Sequence, residues 1–373
     1  MGQNAAALRF DSEQAAPASP VRNARPSWAG RLLLLPFHAL AVFSASKAFN
    51  TNPVIGSRTL NRRGLHIGRR MLAARLGAMR RRSLAGLLSD EDRAAFERDG
   101  FIVKRDFLDP ATFQALRDEI MALDVPARES VNGDTLTRLI ALDGPTLDRL
   151  PVARAVLQGS AYRGLINYVG SFRRRPSLYV QSVFSQFAPG GAQDVQSFFH
   201  TDTFHPTVKS WFFLQDVDDD AAPFAYVPGS HRANRRKLAW ERRVSCTARH
   251  AGDRLTAEGS FRISEAEIRR LGYPDARKLP VAANTLVVAD TSGIHRRSTT
   301  DRSTVRVSIW AYSRSNPFLP WAGGDPLALP FIGRHGQRLY WAVSDLFKTP
   351  GKGQPVWRWV GRRTPLMPPA RDR

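Results

Sequence analysis

The sequence predicts a mainly β protein with flanking helices (α+β), built as a double-stranded β-helix of the jelly-roll, cupin-like kind and preceded by a basic helical extension. Three observations carry this. Stretches at 179–188, 210–217, 285–289 and 305–313 have strand length and composition and are joined by turns such as Pro189-Gly190-Gly191. From Val305 the chain alternates, with Val305, Val307 and Ile309 on one face and Arg306, Ser308 and Trp310 on the other. A His-x-Asp pair, His200 and Asp202, is answered far along the chain by His295.

Residues 1–27 are polar and rich in Ala, Ser, Pro and Gln, a composition that predicts disorder. The apolar run at 28–43 is broken by Pro36 and His38 and is too short to span a membrane. It also begins too far into the chain, with no small-residue cleavage site, to be a secretory signal. Residues 68–82 mix Arg with apolar side chains as an interfacial helix does. Residues 28–88 therefore read as a basic, partly apolar helical extension. Either it rests peripherally on an anionic membrane face, or it packs on the domain with its arginines in solvent.

Charge points to an anionic partner. The 373 residues carry a net +22, and residues 1–88 hold 14 Lys/Arg against 2 acids. No zinc knuckle, helix-turn-helix or RNA-binding aromatic motif accompanies that charge, so no specific nucleic-acid partner is expected. Hydrophobic content of 43% suffices for a core. The single cysteine, Cys246, excludes an internal disulfide and fits a reducing, cytoplasmic setting.

Residues 89–373 form the main domain. Ser89 with Asp92 is a helix start, residues 100–105 a short strand, and 109–120 a second helix. Residues 125–175 show little periodicity, which predicts loops and short helices. The stretch 232–278 is a basic insertion between core strands, placed either as a lid or as solvated charge. Beyond Pro317, Trp321, Tyr340, Trp341, Trp357 and Trp359 lie among cations, which suits lipid headgroups or packing on the barrel exterior.

The chemistry follows from side-chain direction. Alternate residues of a strand share a face, so His200 and Asp202 stand together. His295 from a neighbouring strand completes a two-His, one-carboxylate set that holds Fe(II) and leaves three positions open. Read alone, the triplet is also a surface His beside a solvated Asp. Arg306 and Ser308 form a carboxylate clamp, a rigid fork of two N–H donors plus a hydroxyl, or else the solvated face of an edge strand.

His200-Thr201-Asp202, the run Trp211-Phe212-Phe213-Leu214 leading into Asp216-Val217, the acidic turn Asp218-Asp219-Asp220 and Pro228-Gly229-Ser230-His231-Arg232 follow in an order that resembles the phytanoyl-CoA dioxygenase family of iron and 2-oxoglutarate oxygenases. The resemblance covers about 90 to 320. It implies Fe(II) on His200, Asp202 and His295, with 2-oxoglutarate and O2 as cosubstrates. It also implies hydroxylation of an unactivated C–H bond coupled to decarboxylation of 2-oxoglutarate to succinate. The family's arginine eleven residues after the distal His is Arg306 rather than Arg302, with Ser308 beside it, and the preceding strand offers Gln186 as an amide contact. Related halogenases carry a small residue where Asp202 stands, so Asp202 implies hydroxylation. Phe204, His205 and Trp211 are expected at the substrate pocket, whereas His231 is not expected as a ligand. Substrate is open within the family; the basic front end favours an anionic lipid, glycolipid or acyl thioester. Two other readings stand beside this one: a catalytically silent jelly-roll binding protein, and a peripheral membrane scaffold acting through 28–88.

Overall fold

The computed structural model describes residues 28–188, 190–323, 330–346 and 357–370, without the side chains of 28–33 and 330–332; the 1–27 segment expected to be disordered lies outside these. Among the described residues eleven strands form: β1 Phe101–Lys104, β2 Val125–Asn132, β3 Thr135–Ala141, β4 Ser177–Ser185, β5 Val208–Phe213, β6 Phe224–Tyr226, β7 Arg277–Leu279, β8 Thr285–Asp290, β9 His295–Arg297, β10 Thr304–Ser313 and β11 Arg358–Arg363. Eight make one antiparallel sheet, ordered β1-β8-β5-β10-β4-β3-β2-β11, and a smaller sheet runs β7-β6-β9.

Period-2 alternation explains the layering. On β5, Trp211 and Phe213 turn toward the small sheet and meet Phe224, Tyr226 and Leu279. Phe212 between them turns the other way, into the core that also takes Leu286, Val288, Val307 and Ile309. Two sheets face to face, with helices on the back of the larger, make the double-stranded β-helix that the strand pattern predicts.

The helices are α1 Trp28–Leu40, α2 Arg58–Arg62, α3 Leu65–Ser83, α4 Asp90–Asp99, α5 Pro110–Met121, α6 Gly144–Leu147, α7 Pro151–Gln158, α8 Ser160–Gly170, α9 Arg235–Thr247, α10 Arg254–Ala257, α11 Glu265–Arg270 and α12 Pro330–Leu346. Ser89 caps α4 by accepting from the Asp92 N–H, and Asp109 caps α5 by accepting from the Thr112 N–H. Gly100 ends α4 at φ 87°, a left-handed turn that glycine adopts without strain.

Two expectations are corrected. Residues 125–175 hold the β2–β3 hairpin as well as helices. The hairpin was hidden because its charged residues are interior: Arg138 is fully buried, donating to Glu129 and to the carbonyls of Thr364, Met367 and Pro368. Period-2 reading fails where a polar side chain is buried among carbonyls supplied from more than 200 residues away.

Three arginines of α3, Arg69, Arg70 and Arg80, also face inward. His66, Arg69, Arg70, Ala73, Gly77 and Arg80 recur at three- and four-residue steps and form the buried stripe of the helix. Arg69 donates to the carbonyls of Val42, Ser44 and Ser46, and Arg80 to those of Ser171 and Pro317. Arg70 lies 3.2 Å from Glu241 of α9, with His66 and Lys237 on the same carboxylate. Gly77 permits the close approach, since a Cβ there would sit 2.9 Å from the Pro206 ring. The insertion at 232–278 thus covers the extension as α9–α11 and is not merely solvated charge. No helix of the described residues is long and apolar enough to cross a membrane.

Candidate metal centre and its pocket

His200 sits on an isolated bridge and not in a regular strand. Its N–H donates to the His295 carbonyl at 3.0 Å, and the His295 N–H returns to the His200 carbonyl at 2.9 Å. The chain then bends, because the Asp202 N–H donates to the Thr291 carbonyl, outside any ladder. The expectation of an extended His-x-Asp strand is corrected in form, yet the side chains still converge.

Their orientation is held from behind. His200 Nδ1 lies 2.8 Å from the Phe198 carbonyl and His295 Nδ1 lies 3.0 Å from the Gly293 carbonyl, contacts that place the proton on Nδ1. Each Nε2 then presents a lone pair to the centre. Asp202 Oδ1 stands 3.7 Å from His200 Nε2 and 3.8 Å from His295 Nε2, and the three ligand atoms all lie within 4.8 Å of one another. His200 Nε2 is buried without a hydrogen-bond partner. A six-coordinate ion needs donors ~3 Å apart, so small rotations of three side chains would close the set on one ion.

The charges agree with this. Burial lowers the pKa of both imidazoles, His200 further through neighbouring His295 and Arg262. Burial works to raise Asp202, but Lys209, His295 and His200 hold it well below the usual carboxylate range. Two neutral imidazoles and one carboxylate are the donor set that a divalent cation takes.

Beside the centre is a pocket of about 230 Å³ between the sheets. The alternating faces that meet there supply Lys209, Trp211 and Phe213 from β5, Arg306 and Trp310 from β10, Gln181 from β4 and Phe224 from β6. Arg306 donates through Nη1 to the Ala222 carbonyl at 2.7 Å, which fixes the guanidinium, while its Nε is buried with no partner. Burial, with the Arg297 charge nearby, pushes Arg306 down to about 9, the condition of a cation short of a counter-charge. Ser308 Oγ, two residues on, is also buried and unpartnered.

His200, Asp202, His295, Arg306, Ser308 and Trp211 are thus brought together. Gln186, Phe204 and His205 are not. Gln186 has φ 54° at the end of β4 and donates to the Thr300 carbonyl at 2.7 Å, in a separate recess with Asp134 and Thr135. The β4 amide that does line the pocket is Gln181, cross-strand from Ser308. Past the Asp202 bend, Phe204 and His205 are buried toward the extension; Phe204 packs on His66 and lies under the Arg69 guanidinium at 4.3 Å.

Sequence reading put Lys209 with Trp211 on one strand face that could meet the pocket but gave it no contact; its Nζ is 2.7 Å from Asp202 Oδ2. Its place on the Trp211 face of β5 was the available signal. Nor did it place Trp357, which reaches the pocket from just before β11.

Residues 96–258 match the family model described as phytanoyl-CoA dioxygenase. The match takes in His200 and Asp202 and ends before His295 and Arg306. Solved structures similar to this chain include the non-heme alpha ketoglutarate dependent epimerase SnoN from nogalamycin biosynthesis, at 18% identity and TM-score 0.40, covering 61% of this chain and 82% of that one. HygX from Streptomyces hygroscopicus with nickel, 2-oxoglutarate and hygromycin B bound is similar at 17% identity and TM-score 0.36, covering 60% and 86%. EctD from S. alaskensis with bound Fe is similar at 14% identity and TM-score 0.37, covering 61% and 76%. Among curated proteins none matches the sequence.

Proposed function

Taking the chain as an Fe(II)- and 2-oxoglutarate-dependent dioxygenase of the phytanoyl-CoA dioxygenase family, we propose that it hydroxylates an unactivated C–H bond of a negatively charged organic molecule, such as an anionic lipid, glycolipid or acyl thioester. The observation that carries this is the convergence of His200 Nε2, His295 Nε2 and Asp202 Oδ1, with His200 Nε2 buried and unpartnered. Iron and 2-oxoglutarate, when bound, supply the activation of O2, coupled to decarboxylation of the cosubstrate to succinate and CO2.

The chain's own residues have definable parts. His200, Asp202 and His295 would hold the metal. Lys209 holds Oδ2 of Asp202 and leaves Oδ1 to face the metal position. Arg306, anchored on Ala222, and the Ser308 hydroxyl suit the distal carboxylate of 2-oxoglutarate. Trp211, Phe213, Phe224 and Trp310 keep water from the space between. Lys209 and Arg296 pair with Asp202 and Glu265, but the charged side chains lining the pocket, Lys209 from β5, Arg296 and Arg297 from β9 and Arg306 from β10, are all cations, which supports a negatively charged substrate.

The test is an anaerobic titration of Fe(II) and 2-oxoglutarate into the apoprotein and into His200→Ala/Asp202→Ala. Wild type is expected to develop the visible charge-transfer band of the chelated cosubstrate, and the double variant none. Absence of the band from wild type rejects the oxygenase reading.

One observation favours a membrane-surface seat for the extension. Phe37 and Leu40 of α1 are each 69% exposed and Phe43 just beyond is 63% exposed, an apolar face left in solvent. Flotation with anionic liposomes is expected for the full-length protein and not for Phe37→Ser/Leu40→Ser; equal flotation of the two ends the idea.

A further inference from the structure

We propose that the cavity walled by α3 and α4 and by the loops 204–206, 231–233 and 290–292 is a second binding site, for a single-chain anionic amphiphile. The cavity measures about 590 Å³, against about 230 Å³ for the pocket at the metal centre, and falls in the size range of small-molecule sites. None of His200, Asp202, His295 or Arg306 lines it. The proposal stands apart from the oxygenase reading.

The shape comes from α3. Its buried stripe holds the helix to the domain, and the neighbouring stripe, Ala74, Arg75, Ala78 and Arg82, continued by Ala85 in the turn just beyond the helix, runs along the cavity. Three alanines in that stripe leave space that longer side chains would fill. Across the space stand Phe96, Tyr168 and Leu238, so the wall is apolar on both sides. Burying an apolar chain there removes hydrocarbon surface from water.

The rim is cationic. Arg75, Arg82 and Arg232 are exposed at the cavity, and none of their side chains has a hydrogen bond or ion pair with another described residue. The acids on the lining are Glu97 and Asp290, and Asp290 is already paired with Arg81 at 3.0 Å. A cavity with apolar walls and unpaired guanidinium groups at its edge is complementary to an apolar tail carrying one anionic head, a carboxylate, sulfate or phosphate monoester. Arg75 and Arg82 stand seven residues, about two helical turns, apart on α3, so the cationic rim runs along the length of the cavity.

The experiment uses the full chain. Dodecyl phosphate, below its micellar concentration, is titrated calorimetrically, with dodecanoate, inorganic phosphate and neutral dodecyl maltoside as comparison probes. One-to-one binding of dodecyl phosphate is expected, at least tenfold tighter than the maltoside and a hundredfold tighter than phosphate. Ala78→Trp fills the cavity and Arg75→Glu/Arg82→Glu reverses its rim; all three residues are exposed, so folding is retained. Each variant is expected to weaken binding at least tenfold, and His200→Ala/Asp202→Ala to leave it unchanged. Dodecanoate binding as well as dodecyl phosphate assigns the preference to charge; weak dodecanoate binding assigns it to a phosphate head. The proposal is overturned if dodecyl phosphate does not bind, if phosphate alone binds equally, or if neither cavity variant weakens binding. It is also overturned if the metal-ligand variant abolishes binding, which would place the ligand in the other pocket.

Discussion

Replacing Arg306 by leucine separates the proposed anion clamp from every other arginine near the strand. Arg306 is 8% exposed, fixed through Nη1 on the Ala222 carbonyl, and its Nε has no partner. A carboxylate placed against it gains up to two charge-assisted hydrogen bonds, each worth about 1.5–3 kcal/mol. Desolvating the incoming anion offsets part of that, leaving ~3 kcal/mol, or roughly a hundredfold in Kd for 2-oxoglutarate. Arg306→Lys keeps a charge but loses the planar fork, and about a tenfold loss is expected. Arg302, four residues earlier, is exposed and lies 3.4 Å from Asp218, so Arg302→Leu is expected to change nothing. The assay is anaerobic titration of 2-oxoglutarate into each Fe(II)-loaded protein, followed by the charge-transfer absorbance. An Arg306→Leu Kd within threefold of wild type, or a loss on Arg302→Leu instead, refutes the assignment.

Three further outcomes concern the packing of the extension. Glu241→Gln leaves Arg70 and Lys237 buried without their counter-charge and is expected to lower stability by about 3–5 kcal/mol, read from the urea midpoint. Stability should also vary with pH at both ends. Burial opposes the charge on Glu241, but Arg70 and His66 pull its pKa down to about 2, so its contribution is complete above the ordinary value of 4.5 and is lost as pH falls toward 2. Burial, and Arg70 beside it, push Lys237 down to about 7 from 10.5. Between those values the unfolded chain binds the extra proton, so stability climbs with pH by up to about 1.4 kcal/mol per unit. Urea unfolding at pH 7 and 9 checks this: wild type should gain, Lys237→Met should lose that slope, and equal slopes contradict the argument. Deletion of residues 1–88 removes Phe49, Ile55, Arg70 and Arg80 from buried positions, so an insoluble or unfolded product is expected by circular dichroism; a folded 89–373 fragment that binds Fe(II) would show the extension to be dispensable.

The candidate donor set was already legible in the order of residues, because imidazole and carboxylate chemistry belongs to residue type. His200, Asp202 and His295 were named without coordinates, and so were Arg306 and Trp211, since strand alternation is a local property that survives folding. The caps at Ser89 and Asp109 were legible for the same reason: donor and acceptor lie three residues apart. Tertiary structure alone decided the rest. Gln181 lines the pocket in place of Gln186 because the chain turns at φ 54° where β4 ends, ahead of the Gly/Pro turn. Lys209 holds Asp202 because two elements meet across a bend, and Phe204 and His205 turn away at that same bend. The arginines of α3 carry the clearest lesson. Helical periodicity marked a stripe, but a stripe containing Arg69, Arg70 and Arg80 reads as solvent-facing because buried guanidinium groups are rare. What makes it interior is a set of carbonyls and one carboxylate drawn from as far as Pro317, and partners that distant exist only once the chain has folded.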